Sequence, residues 1–328
     1  VTIINTMAAA AIKNIKTYIS YLDELVIFDN SSKKYQYIDE LDKYTKVKYI
    51  SYEKNLGIAR ALKESIDYAI EQKYDWCLTM DQDSKIDLNG EKFKEILHKL
   101  ENKDEYGIIS FDYNNEHNDT ELNIRDAKAW ITSGNFVNID NYKKIEKIDE
   151  RLFIDFVDYD LCEKFKKAGY KIGIMNYSII HNIGNPVSKR FLGLKINSMN
   201  HSPIRYYYRY RNCVYLFSKN KKYYFKKIVY EFIVNLPKML IIEKDRKNKL
   251  KMIFRGIKTK ARRIRKGENK KMIVYICLIF LIILFNYIIK DKKKYCIFCG
   301  IILFLPLILR EPTLGNSDTV SLYIPAFE

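Results

Sequence analysis

Short apolar runs alternate with amphipathic stretches through the first half of the chain, and this alternation most restricts how it can fold. Residues 25–28 (LVIF), 47–50 (VKYI), 75–80 (DWCLTM) and 107–111 (GIISF) read as strands, most of them bounded by turn residues. Between them lie helical patterns. Residues 7–22 repeat Ile12, Ile15, Ile19 and Leu22 at spacings of three and four. A polar helix is expected near 35–44, and Asn55-Leu56-Gly57 opens another over about 58–72. Helix and strand in alternation, with short loops, predict an α/β fold: a mostly parallel sheet covered by helices on both faces. Only Val1-Thr2-Ile3-Ile4 precedes the first helix, so the chain is expected to begin inside or at the end of its first strand.

Further along, residues 127–137 are expected to form paired strands around Ser133-Gly134. Helices are predicted near 140–146 and 157–168, and a strand over 171–175 leads towards His181. Residues 205–212 (RYYYRYRN) are aromatic and basic, and 222–242 read as an amphipathic interfacial helix.

With 48% apolar residues in 328, a core can form, which excludes a disordered chain. The cysteines at 77, 162, 213, 277, 296 and 299 are scattered or set in apolar runs, so reduced thiols are the simpler reading. Net charge is +17, and residues 238–271 carry 15 Lys/Arg against 3 Asp/Glu, a local excess of +12. A basic segment beside apolar runs predicts a membrane-surface extension over 216–271. No nucleic-acid motif accompanies it, so nucleic acid is not an expected partner. Residues 272–289 are 18 uncharged, mostly apolar residues, and 295–309 are 15 more beyond a Lys-rich turn. The first run is long enough to span a bilayer, and the pair reads as a transmembrane or re-entrant hairpin with a short polar tail to 328. Cations flank the first run on both sides, which a single span cannot reconcile with the positive-inside rule.

The chemistry-bearing residues cluster at strand ends. Asp81-Gln82-Asp83-Ser84 follows a strand directly, and carboxylates two apart in a turn can face one hard divalent cation such as Mg²⁺ or Mn²⁺. The same residues would also suit a solvated acidic turn, but open α/β sheets bind ligands at the carboxyl ends of their strands. Asp29 ends another strand, where it can accept from a base or ribose or serve as a turn residue. Asn55 and Gly57 precede a helix start, which favours phosphate or is plain capping. Asp155, Asp158 and Asp160 crowd a helix start, where they suit either the helix dipole or a general base. His181 follows a strand. Arg205, Arg209 and Arg211 suit a diphosphate clamp or a basic face towards anionic lipid.

Taken in order, LVIFDNSS, NLGIARALKESI, DWCLTMDQDS, the SGN at 133–135, ERLFIDFVDYDLCEKFKKAGY, IIHNIG and SPIRYYYRYRN resemble bacterial family 2 glycosyltransferases of the GT-A fold, most closely the rhamnosyltransferase group. The resemblance implies a Rossmann-like nucleotide-sugar domain over 1–215, with its first strand clipped or missing. By this resemblance Asp29 contacts the nucleotide base. Asp81 and Asp83 form the acidic metal motif, with Asp83 the direct ligand, and His181 lies near the diphosphate or metal. Asp158 is the catalytic base. The family's Glu-Asp pair is here Val157-Asp158, which keeps Asp155 as a rival base. The implied reaction is inverting transfer of a sugar, foremost L-rhamnose from dTDP-rhamnose, to a polysaccharide or lipid-linked acceptor at the cytoplasmic face of the bacterial plasma membrane. The alternatives are a UDP-hexose or galactofuranose donor, or a non-catalytic membrane subunit of a polysaccharide assembly complex. Residues 272–328 resemble the start of an EpsG-type polysaccharide polymerase, so the join is expected to be a truncated fusion or a read-through of neighbouring genes.

Overall fold

A computed structural model describes residues 2–4, 9–31, 44–113, 121–181, 186–191 and 194–264. The helix expected over 35–44 falls, but for its last residue, outside the described residues. So do the expected hairpin and tail over 272–328. Among the described residues, no helix is long and apolar enough to cross a membrane. They form two compact units, one up to Ile183 and one from Gly184.

In the first unit the elements run β1 (Thr2–Ile4), α1 (Ala9–Ile15), β2 (Leu25–Asp29), β3 (Val47–Ser51), α2 (Ile58–Glu71), β4 (Trp76–Asp81) and β5 (Ser84–Ile86). They continue as α3 (Gly90–Leu100), β6 (Tyr106–Tyr113), β7 (Ile124–Ala127), β8 (Asn135–Asn138), α4 (Ile139–Lys143), α5 (Val157–Lys167) and β9 (Lys171–His181). One nine-stranded sheet has the order β3-β2-β1-β4-β8-β6-β9-β5, with β7 also on β9. The short run at the start of the chain is a full member of it: Thr2–Ile4 pairs in parallel with both β2 and β4. The strand order therefore reverses between β1 and β4, a switch point whose carboxyl ends form a crevice.

The alternation read from sequence overstates the parallel character. Four pairings in this sheet are parallel and four are antiparallel. Two of the antiparallel pairings come from β8, which enters without a preceding helix between β4 and β6, and the other two from β5 and β7, which both pair with β9. The segment 127–137 is also not a hairpin, because β7 pairs with β9 while β8 pairs with β4 and β6. α3 is not among the expected elements, although Phe93, Ile96 and Leu100 repeat at helical spacing and are buried. Asn89 caps it by accepting from the Lys92 amide at 2.9 Å.

Burial explains the helix seats. α2 turns Ala59, Leu62, Ile66 and Ala69 inward and leaves Arg60–Glu64 and Lys63–Asp67 as i,i+4 pairs on its outer face. α5 lies so close to β6 that a Cβ on Gly107 would stand 2.1 Å from the Phe165 ring.

The second unit has a hairpin, β10 (Val187–Phe191) with β11 (Leu194–Ser198), followed by α6 (Pro203–Lys219) and α7 (Lys221–Tyr230). A π-helical turn over Glu231–Asn235 leads into α8 (Leu236–Ile242) and then α9 (Arg246–Ile264). The single interfacial helix expected over 222–242 is therefore three consecutive segments. α6, expected to close the first domain, instead packs along α9, where a Cβ on Gly256 would stand 2.4 Å from the Tyr207 carbonyl oxygen. Two buried ion pairs hold this unit. Arg209 donates to both oxygens of Glu231 at 2.8 Å, and Lys249 donates to Glu243 at 2.7 Å.

Candidate functional site

The carboxyl ends of β2 and β4 carry Asp29 and Asp81. From Asp81 the chain turns through Gln82-Asp83 into β5, whose Ser84 stands opposite His181 of β9 in antiparallel register. This pairing brings together residues 97 positions apart: Ser84 Oγ lies 2.6 Å from His181 Nδ1. Asp81, Asp83 and His181 can each offer a ligand atom within 4.8 Å of the others. The Oδ1 atom of Asp83 is buried with no hydrogen-bond partner. It stands 3.5 Å from His181 Nδ1, too far for a hydrogen bond. Two carboxylates, one with an unmet acceptor, and one imidazole are a donor set that fits Mg²⁺ or Mn²⁺.

The Ser133-Gly134-Asn135 turn supports this cluster from below. Gly134 has φ +72°, so it takes the left-handed conformation a side chain would resist. There its amide donates to the Thr79 carbonyl at 2.7 Å and its own carbonyl accepts from the Phe111 amide at 3.0 Å. The neighbouring Ser133 hydroxyl accepts from the Asp81 amide at 3.0 Å and lies 2.8 Å from Ser84 Oγ. Ser84 and Ser133, both buried, thus link the Asp81 backbone to the His181 ring. Tyr113 completes the floor: its hydroxyl donates to the Ser133 carbonyl and its ring meets His181 edge-on at 5.6 Å. Burial pushes the Tyr113 hydroxyl pKa well up, and the charges of Asp81 and Asp158 add to that push. Asp158 thus acts on the same tyrosine as Asp81.

Asp158 lies in the first turn of α5 and accepts from the Tyr159 amide at 2.9 Å. The segment before it is strained: Phe153, Asp155 and Phe156 have φ of 65°, 63° and 67°. Asp155 therefore sits in the left-handed approach to the helix rather than on it. Asp160 turns away into a buried pair with Lys164 at 2.7 Å. Of the three crowded acids, this one is neutralised by its own helix.

Asp29 is buried and already engaged. Its Oδ1 accepts from the Ser31 amide at 2.8 Å and from the Ser31 hydroxyl, and its Oδ2 accepts from Tyr49 at 2.5 Å. Burial and this hydrogen bond raise the Tyr49 pKa, so Tyr49 stays a donor. Asn55 Oδ1 accepts from the Gly57 amide at 2.9 Å, ahead of α2. Asn30, which no sequence motif singled out, ties the two loops together. Its amide donates to the Gly57 carbonyl at 3.2 Å, and its Oδ1 receives the Leu56 amide at 3.4 Å. Its position directly after Asp29 at a strand's end was the available signal.

Arg205 and Arg211 lie on α6, in the second unit. The Arg211 guanidinium donates to Asn212 at 3.0 and 2.7 Å and stacks over Tyr208 at 4.7 Å. Arg209 cannot serve in a diphosphate clamp, because Glu231 holds it in the buried bidentate pair.

Residues 6–156 match the family model described as glycosyl transferase family 2. The dTDP-rhamnosyl transferase RfbF of Shigella flexneri is 29% identical over 233 residues, covering 64% of this chain and 77% of that protein. Among solved structures, GalNAc-T7 with UDP, GalNAc and Mn²⁺ aligns with a TM-score of 0.45 and 14% identity, over 58% of this chain and 43% of that one. S. aureus TarS 1–349 in complex with UDP aligns with a TM-score of 0.43 and 13% identity, over 77% of this chain and 69% of that one.

Proposed function

We propose that this chain, which carries a rhamnosyltransferase-like family 2 glycosyltransferase domain in its residues 6–156, moves L-rhamnose from a dTDP donor onto a hydroxyl of a polysaccharide or lipid-linked glycan. The observation that carries the reading is the convergence of Asp81, Asp83 and His181 at the carboxyl end of β4, beside a strand-order switch. The likeness to the Shigella flexneri protein named for dTDP-rhamnosyl transfer supports this donor sugar.

Asp81, Asp83 and His181 would hold Mg²⁺ or Mn²⁺. Held there, such a cation would supply positive charge to offset that of the diphosphate leaving group. Asp29 and the Asn55-Gly57 loop receive the nucleoside. Asp158 takes the proton from the acceptor hydroxyl through a carboxylate oxygen. That acceptor oxygen bonds to the anomeric carbon as the carbon–oxygen bond to the diphosphate breaks on the opposite face. The nucleoside diphosphate leaves with the bonding pair, and one displacement inverts the carbon.

Incubation with a panel of nucleotide sugars and divalent cations tests this. Release of dTDP from dTDP-rhamnose, dependent on Mg²⁺ or Mn²⁺, is the expected result. Release from a UDP-hexose or UDP-galactofuranose alone would replace the donor. No release from any donor, and no Mn²⁺ binding, would favour a non-catalytic subunit.

A further inference from the structure

The acidic turn is braced from the start of the chain as well as from Ser133. The end of α1 and a 3₁₀ turn over Ile19–Tyr21 touch the run from Gln82 to Leu88 at three points. The Asn14 side-chain amide donates to the Gln82 carbonyl at 2.9 Å. The Thr17 hydroxyl accepts from the Ile86 amide at 3.1 Å. The Tyr21 hydroxyl donates to the Leu88 carbonyl at 3.1 Å, and its ring stacks on Phe93 with centroids 4.6 Å apart. The paired residues are 68, 69 and 67 positions apart, so the two stretches run side by side in the same direction.

Of these three contacts, the one from Asn14 falls inside the metal turn. The Gln82 carbonyl belongs to the peptide group that joins Gln82 to Asp83. Peptide groups are planar, so a bond that holds this carbonyl also fixes the plane from which Asp83 leaves. Asp83 Oδ1 has no hydrogen-bond partner, so the backbone beneath it sets where that oxygen stands. Ser133 holds the chain as it enters Asp81, and Asn14 holds it as it leaves Gln82 for Asp83. The core does not need Asn14. Ala11, Ile12 and Ile15 seat α1, each no more than 3% exposed, while Asn14 is half-buried. Asparagine is also a poorer helix former than alanine, because its side chain competes for backbone groups. Its presence in α1 weakens the helix locally, and what its side chain does there is hold Gln82.

We propose that Asn14 is a positioning residue for the candidate metal centre: it holds the Gln82–Asp83 peptide so that Asp83 faces Asp81 and His181 before a divalent cation binds. This rests on the reading of those three residues as a cation site. Without the Asn14 bond the turn spends less time in the binding conformation, and apparent affinity falls by that fraction. Mn²⁺ is titrated into the full chain and followed by electron paramagnetic resonance, in wild type, Asn14→Ala, Asn14→Leu and Tyr21→Phe. Asn14→Ala favours the helix and Asn14→Leu keeps the bulk of the side chain, but both lack the donor. Each should bind Mn²⁺ about 3- to 10-fold more weakly, the equilibrium worth of one hydrogen bond. Tyr21→Phe removes a similar bond beyond the turn and should leave the Mn²⁺ affinity at the wild-type value. Wild-type affinity in both Asn14 variants, with Mn²⁺ bound by wild type, would overturn this proposal alone. So would wild-type affinity in Asn14→Leu only, since bulk and not the donor would then be at work. Thermal midpoints are read alongside. Mn²⁺ affinity that falls in step with the midpoint across all the variants, Tyr21→Phe included, would mean general loosening and also reject it. No Mn²⁺ bound by wild type would defeat the metal reading itself, and this proposal with it.

Discussion

Asp83 and Ser84 are neighbours in sequence with separate tasks. Asp83 offers the buried, unmet oxygen, while Ser84 occupies one ring nitrogen of His181. Asp83→Ala should lower turnover by about 10²-fold or more, since a bound cation contributes several kcal/mol. Mn²⁺ binding followed by electron paramagnetic resonance should weaken in parallel, and EDTA should mimic the variant. Ser84→Ala keeps every ligand but frees the imidazole, and partners of this kind are worth about 10–100-fold in metal affinity. Unchanged Mn²⁺ affinity in that variant would mean the hydroxyl only packs. The two candidate bases separate on the same scale. Asp158→Asn should cut kcat by about 10²–10⁴ while nucleotide binding survives. Asp155→Asn should cost far less, and the reverse order would make Asp155 the base.

Among the elements, the entry to α2 is the most constrained junction. Gly57 has φ +84°, and a Cβ there would stand 2.5 Å from the Phe153 ring and 2.7 Å from its carbonyl oxygen. That carbonyl already accepts from the Ala59 amide at 3.1 Å, so it has little room to move. Phe153 belongs to the strained approach to α5 and Asp158. Gly57→Ala should therefore destabilise the protein by about 1–3 kcal/mol in denaturant unfolding. It should also lower turnover, because the Phe153–Phe156 segment shifts with it. Full stability in this variant would show that the loop yields freely.

For the whole molecule, the second unit predicts a pH signature of its own. Burial pulls the Lys238 ammonium from its ordinary 10.5 down to about 8, with Glu231 opposing the shift. Between those two values the unfolded chain still holds a proton that the folded chain has released. Stability from this group therefore rises with pH across the window, and below about pH 8 the folded state carries the full cost of a buried cation. The thermal midpoint of wild type, measured relative to Lys238→Met, should rise between pH 8 and pH 10. A flat difference would mean that water reaches the ammonium.

The alternation of apolar runs and amphipathic stretches was enough to establish the α/β class and most strands, because period and turn residues are local properties. It also marked Asp81, Asp83 and Asp158, since a carboxylate after a strand or at a helix start can be seen in a few residues. Pairing is not local. Nothing near Ser84 announces His181, and only the antiparallel register of β5 on β9 joins them. The insertion of β8 between β4 and β6 likewise depends on the Ser133-Gly134 turn fitting between two strands, and it supplies two of the sheet's four antiparallel pairings. The same holds for charge. Counting gave residues 238–271 an excess of +12. Which cations face water and which neutralise Glu231 and Glu243 was decided by how α6 to α9 pack, because a helix chooses its buried face from its neighbours.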